Sequence, residues 1–137
     1  GITPGTTCAT NEDIITLCWS EVEGFSKFGS YEGNDSAEGP FVELGFRPAM
    51  ILIKNIDASA NWVIYDNKRD TFNGATKVLL ADNSGGGGAN DAWDGSHPVD
   101  FLSNGFQSRT TTEEINDTDT YIYCAWAESP FKYSNAR

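Results

Sequence analysis

The chain is short of several things. Its 137 residues include one methionine, one histidine and nine lysines and arginines, against twenty acids, for a formal net charge of -11. A protein that neutralises nucleic-acid phosphates needs clustered cations, and the nine here are scattered. Nucleic acid is therefore excluded as the expected partner. The same balance disfavours adhesion to an anionic membrane, while it favours solubility and leaves room for bound cations. No run approaches the apolar length of a membrane span, so no membrane insertion is expected. The first residues lack the charged and apolar regions of a secretory signal. The missing initiator methionine is what a processed, truncated or excised chain would show. The single imidazole, His97, has neither a second histidine nor a paired cysteine beside it, so the usual transition-metal sets and a Ser-His-Asp triad are not expected. Three cysteines, Cys8, Cys18 and Cys124, are an odd number and make no complete disulfide framework. Cys18 and Cys124 lie in apolar, strand-like runs and read as small buried hydrophobes of a protein made in a reducing cytoplasm. A Cys8–Cys18 bridge is the alternative.

Helical spacing is also missing. What is present is the punctuation of a β protein: short apolar runs separated by Gly, Asn, Asp and Pro clusters. The pattern predicts strands at 13–21, 24–31, 39–44, 49–55, 62–66, 77–81, 100–102, 105–109 and 120–128. At most one helical turn is expected, at 67–73. The continuous apolar run from Ala49 reads as a central strand covered on both faces. Pro48 holds its approach extended, and Asn104-Gly105 is a strong hairpin signal. Residues 82–98 form a long loop with four consecutive glycines, Gly85 to Gly88. Such a loop is usually mobile or functional. Short strands at regular spacing predict an antiparallel β-sandwich of jelly-roll or lectin-like type.

The chain ends much as it begins. Ile15, Trp19 and Glu21 recur as Ile122, Trp126 and Glu128, and with small gaps Phe25 and Lys27 match Phe131 and Lys132. A strand and its exit turn are thus written twice, as in a chain cut from tandem β-repeats. Residues 1–23 are then expected to be the end of a preceding repeat or a swapped first strand, and residues 24–137 the sandwich itself.

Three sets of residues are candidates for chemistry. On the strand that starts at Trp62, alternation puts Trp62, Ile64 and Asp66 on one face and Val63 and Tyr65 on the other. Trp62 with Asp66, Asn67 and Arg69 would make a sugar platform. The plainer alternative packs Trp62 in the core and uses Asp66 and Arg69 as an ion pair that orders the loop. Asp82, Asn83, Asp91 and Asp94 surround the glycine run and could supply oxygens to calcium, although their spacing fits no established calcium loop. No other cofactor is expected. Trp93 and His97 sit in the same loop. An exposed Trp is a frequent hot spot and equally a pin for the loop. Among the carboxylates, Glu21 and Glu128 recur at matching positions and read as structural, while Glu113-Glu114 reads as a solvated tip. No catalytic residues are assigned, and no enzymatic activity is expected.

Several ordered segments carry a resemblance: Glu21 to Asn34, Gly39 to Val42, Gly45 to Ala49, Ile53-Lys54, Asn61-Trp62, Asp66 to Arg69, Phe101 to Phe106, Tyr121 to Tyr123 and Ala127 to Arg137. Together they resemble a domain of uncharacterised function in tail-fibre-like and other virion proteins of marine bacteriophages, notably cyanophages. The resemblance covers residues 13–137. It implies a virion setting, tandem occurrence, assembly as a homo-oligomer (a trimer favoured) with other virion proteins, and attachment to a host surface glycan or envelope protein. The alternative is a structural subunit that only binds copies of itself. The Gly-rich loop, Trp93 and His97 depart from the family's usual pattern.

Overall fold

The computed structural model describes residues 18–82 and 95–130. Among these it is all-β: β1 (Ser26–Glu32), β2 (Phe41–Glu43), β3 (Pro48–Asn55), β4 (Val63–Asp66), β5 (Leu79–Leu80), β6 (Val99–Leu102), β7 (Gly105–Ser108) and β8 (Thr120–Ala127). The strands form two antiparallel sheets, five-stranded in the order β1-β8-β3-β4-β5 and three-stranded in the order β2-β7-β6. Each matches a predicted run, with ends trimmed by one to two residues in most cases. The segment 67–73 forms turns and bends, with no helical turn.

One core lies between the sheets. The five-stranded sheet contributes Ile51, Ile53, Val63, Tyr65, Leu80, Tyr121, Tyr123 and Ala125, and the other contributes Val42, Val99, Phe101 and Phe106. Alternation decides this, because successive side chains of a strand point to opposite faces. At its centre Tyr31 stacks on Tyr121 with ring centroids 5.0 Å apart, and Phe106 meets Tyr31 and Tyr123 edge-on at 5.9 and 5.7 Å. Gly29 makes room for this cluster, since a Cβ there would stand 2.9 Å from the Tyr123 hydroxyl.

Three expectations change. Of the predicted first strand, 13–17 lie outside the described residues, and 18–21 are not strand. The chain turns tightly instead: Val22 and Ser26 exchange backbone hydrogen bonds across a turn that holds Gly24 at φ 72°. β3 is central, between β8 and β4, but it is not covered equally on both faces. Ile51, Ile53 and Asn55 are buried, whereas Met50, Leu52 and Lys54 are half-buried. The hairpin at 102–105 forms, but its turn residues are Ser103 and Asn104. Gly105 already belongs to β7, where a Cβ would stand 2.1 Å from the Val42 carbonyl oxygen.

Candidate binding surface

The face of the five-stranded sheet turned away from the core is unusually apolar. Cross-strand register places Phe28 beside Cys124, Cys124 beside Leu52, Leu52 beside Ile64, and Ile64 beside Leu79. One apolar row therefore crosses all five strands. A neighbouring row runs Ser26, Trp126, Met50, Asp66, and on the other side Ser30, Ile122 and Lys54 form a third. Among the described residues, no second sheet or helix lies over this face. Trp19 does reach it: its ring lies 6.4 Å from that of Phe28, stacked, and 6.3 Å from that of Trp126, edge-on. These separations fall in the favourable range for aromatic pairs. The Ser26 hydroxyl donates to the Ser20 carbonyl and fixes the crossing.

The sugar platform is only partly assembled. Val63 and Tyr65 face the core, as alternation requires, and Trp62, 36% exposed, is not a core residue. Asp66 is already used. Its carboxylate accepts from the backbone N–H groups of Lys68 and Arg69 and pairs with the Arg69 guanidinium. Partial burial pushes the Asp66 carboxyl up, but the Arg69 and Lys68 hydrogen bonds and the Arg69 charge pull it below the usual carboxylate value. The ion-pair half of the plainer alternative thus holds, and its buried Trp62 does not. Asn67 is buried, and its side-chain oxygen and nitrogen have no hydrogen-bond partner. Asp82 accepts the backbone N–H of Trp62 and holds the start of β4 against the end of β5. Asn83, Asp91, Trp93 and Asp94 lie outside the described residues, and with them most of the proposed calcium set. Among the described residues no three His, Cys, Asp or Glu side chains are grouped to hold a metal.

His97 is a buried pin, away from the surface. Its ring lies between the Ser96 hydroxyl at Nδ1, 3.0 Å, and Glu114 Oε2 at Nε2, 3.4 Å, and its carbonyl accepts from the Tyr65 hydroxyl. Burial pushes the imidazole below its ordinary value, against the pull of Glu114. Glu114 is therefore not the solvated tip that its sequence suggested. The segment around it turns inward and buries Ile115 and Asn116 completely. Asn116 donates to the Ser36 and Thr110 carbonyls and to Asn34 Oδ1, and accepts from the Asn34 N–H. Asn55 donates to the Glu113 carbonyl and the Asp119 carboxylate. Arg47 pairs with Glu128 at the end of β8 and donates to the Phe101 carbonyl, which gives Glu128 a structural role.

The sequence reading missed one residue that the fold puts forward. Phe72 is 85% exposed, the highest value among the exposed large hydrophobics. Its loop is firmly made. Asp70 accepts the N–H groups of Thr76 and Lys77. Asn73 both donates to and accepts from the Phe101 backbone, and Ala75 bridges Val99. The loop thus crosses from the five-stranded sheet to the three-stranded one and displays an aromatic ring at its bend. The available signal was an aromatic among turn residues, Asp70-Thr71-Phe72-Asn73-Gly74, where no strand needs it.

The sequence pattern of a domain of unknown function, DUF7483, matches residues 2–130. The chain belongs to the DUF7483 family. Comparison with curated proteins and with solved structures finds no match. The family supplies no activity, so the surfaces described above bear the functional argument.

Proposed function

We propose that this DUF7483 domain is a non-enzymatic module of a bacteriophage virion appendage, of tail-fibre type, that attaches to a host-cell surface. The observation that carries the reading is Phe72, held in solvent by a loop whose Asp70 and Asn73 are spent on fixing it. A rigid β scaffold with a displayed aromatic is a common form of recognition surface. The setting rests on the resemblance of its ordered segments to virion proteins of marine bacteriophages. Copies arranged along an appendage would convert a weak contact into avidity. The lectin-like form of the sandwich belongs to the same reading, with host glycan or envelope protein as the target. The test is attachment of the labelled protein to host envelope. Phe72→Ala reduces retention while the far-UV spectrum and solution mass stay unchanged. Undiminished retention removes Phe72 from the contact, and no retention of the parent on any host envelope removes the attachment reading.

The second reading, a purely structural subunit, is favoured by the apolar row across the five-stranded sheet. It predicts assembly on the virion with no bound host component.

A further inference from the structure

The outer face of the three-stranded sheet is small enough to name in full. Val42, Phe106, Val99 and Phe101 belong to the core. Alternation therefore turns outward Phe41 and Glu43 on β2, Gly105 and Gln107 on β7, and Asp100 and Leu102 on β6. Register sets them in two rows, Phe41-Gln107-Asp100 and Glu43-Gly105-Leu102. Phe41 reaches out of its row. A Cβ at Gly105 would stand 2.9 and 3.0 Å from two atoms of the Phe41 ring, so the ring extends diagonally onto β7. Gly105 is buried there, while Phe41 stays 45% exposed. Leu102, next in the row, is half-buried. Beyond β6 comes the loop that displays Phe72. Ala75 exchanges backbone hydrogen bonds with Val99 in antiparallel sense, and the Asn73 side chain bonds both backbone groups of Phe101. Phe72 is thereby carried to the Leu102 end of β6. Two exposed aromatics thus flank a floor made of backbone and Leu102. From β7 to the far side of β6 is two strand spacings, roughly 10 Å. Among the described residues no strand lies over this face.

Two observations say what fits. The first is the pair of rings. The face of an aromatic ring carries partial negative charge, and the axial C–H bonds of a pyranose ring are weakly positive and apolar. Two such rings set apart across a flat floor match a chain of sugars. The second is the polar row. Gln107 donates to the Gly39 carbonyl, Arg109 donates to Asp100, and Arg109 also pairs with Glu38. These bonds fix the side chains and use only part of their capacity. Among the described residues Gln107 Oε1, Asp100 Oδ1 and Arg109 Nη2 accept or donate no hydrogen bond, so acceptors and a donor stand ready for hydroxyl groups. Charge then selects among glycans. Glu38, Glu43 and Asp100 stand against Arg109 and against Lys27, which donates to the Glu43 carbonyl. Around the Phe72 loop Asp66 and Asp70 stand against Lys68, Arg69 and Lys77. Neither sign is in excess, in a chain that carries -11 overall. Nothing here draws a polyanion or a polycation.

We propose that the outer face of the three-stranded sheet binds a neutral glycan chain, laid across β7 and β6 from Phe41 to Phe72, with its hydroxyl groups on Gln107, Asp100 and Arg109. The proposal rests on the attachment reading and names the ligand class and the rest of the site.

The test is affinity electrophoresis of the full chain through gels that hold a neutral β-glucan, a neutral mannan or an anionic polyuronate. The parent is expected to be slowed by a neutral polymer and to pass the polyuronate freely. Phe41→Ala weakens the binding by at least about tenfold, whereas Phe41→Trp, which keeps a ring over Gly105, retains it. Gln107→Ala leaves the Phe41 ring in place and weakens binding about threefold. A parent unslowed by both neutral polymers overturns the proposal, and so does equal slowing by the polyuronate. Binding that ignores Phe41→Ala overturns it too. Should that variant not fold, binding that ignores Gln107→Ala does the same. Retention on host envelope separates this proposal from the attachment reading. If Phe72→Ala abolishes retention and Phe41→Ala does not, the glycan strip fails and attachment stands. If the neutral polymer binds through Phe41 but no envelope retains the parent, attachment fails and the strip stands.

Discussion

The two faces of strands β3 and β8 carry similarly apolar residues but differ in how far they are buried. On one face Ile51, Ile53, Tyr121, Tyr123 and Ala125 are sealed under the three-stranded sheet. On the other Met50, Leu52, Ile122, Cys124 and Trp126 are just as apolar but half-exposed or, for Ile122, exposed. Hydrophobicity sets what a face would gain by burial, about 25 cal/mol per Å² of apolar area. It does not say whether a partner is present. Among the described residues, the core face realises that gain fully and the outer face only in part.

The contrast can be broken most severely from the core side by raising the pH. Burial pushes the Tyr31 and Tyr65 phenols up and takes that of Tyr121 to about 12. In the unfolded chain these phenols ionise near about 10. Their contribution to stability is therefore complete below that pH and is lost as pH rises through the folded values. Tyrosinate absorbance and the far-UV sheet signal should change together in an alkaline titration. Ionisation near pH 10 with the sheet intact would show that the core face is wetter than described.

A pair of neighbouring substitutions sharpens the comparison. Ile53→Ala, on the core face, should cost about 3 kcal/mol in chemical denaturation, within the usual range for large-to-small core changes. Leu52→Ala, one residue away on the outer face, should cost about 1 kcal/mol, because only part of its side chain leaves water on folding. Equal costs in the monomer would mean that the outer face is already covered within one chain.

The smallest effect belongs to neither face. Partial burial pushes the Asp70 carboxyl up, but the N–H groups of Lys77 and Thr76, the Lys77 charge and the Thr76 hydroxyl bring it below the usual value. A lowered folded value means stability that is present above about pH 4 and lost as pH falls through the folded value. Asp70→Ala should therefore lower the thermal midpoint slightly at neutral pH, and the gap to the parent should close in acid. The group is largely solvated, so screening keeps the effect small. A gap of the same size in acid would assign Asp70's contribution to something other than its charge.

Much of the fold was legible. Strand positions follow from period-two alternation and from Gly, Asn and Pro breaks, which are local properties, and the eight described strands were read to within about two residues, whereas the strand expected at 13–21 does not form over 18–21. The site was legible only in part. The Asp66–Arg69 pair was anticipated because residues three apart in a turn meet by geometry alone. Phe72 was not, because nothing local distinguishes an aromatic that a loop holds out from one that folds inward. Glu114 was misjudged for the same reason: it looks polar and solvent-bound in sequence, and a segment distant in the chain brings it against the buried His97.

The sequence by itself determined that this chain builds strands and turns, that it carries a formal net charge of -11, and that its last strand resembles a segment near its start. Those follow from side-chain size, backbone freedom and charge, which each residue carries wherever it lies. Only the tertiary structure decided which apolar face of β3 and β8 is sealed, that Trp19 lies on Trp126, and that Phe72 faces solvent. Each of these depends on which distant segments meet, and the net gain from long-range packing selects that pairing, which no local preference encodes.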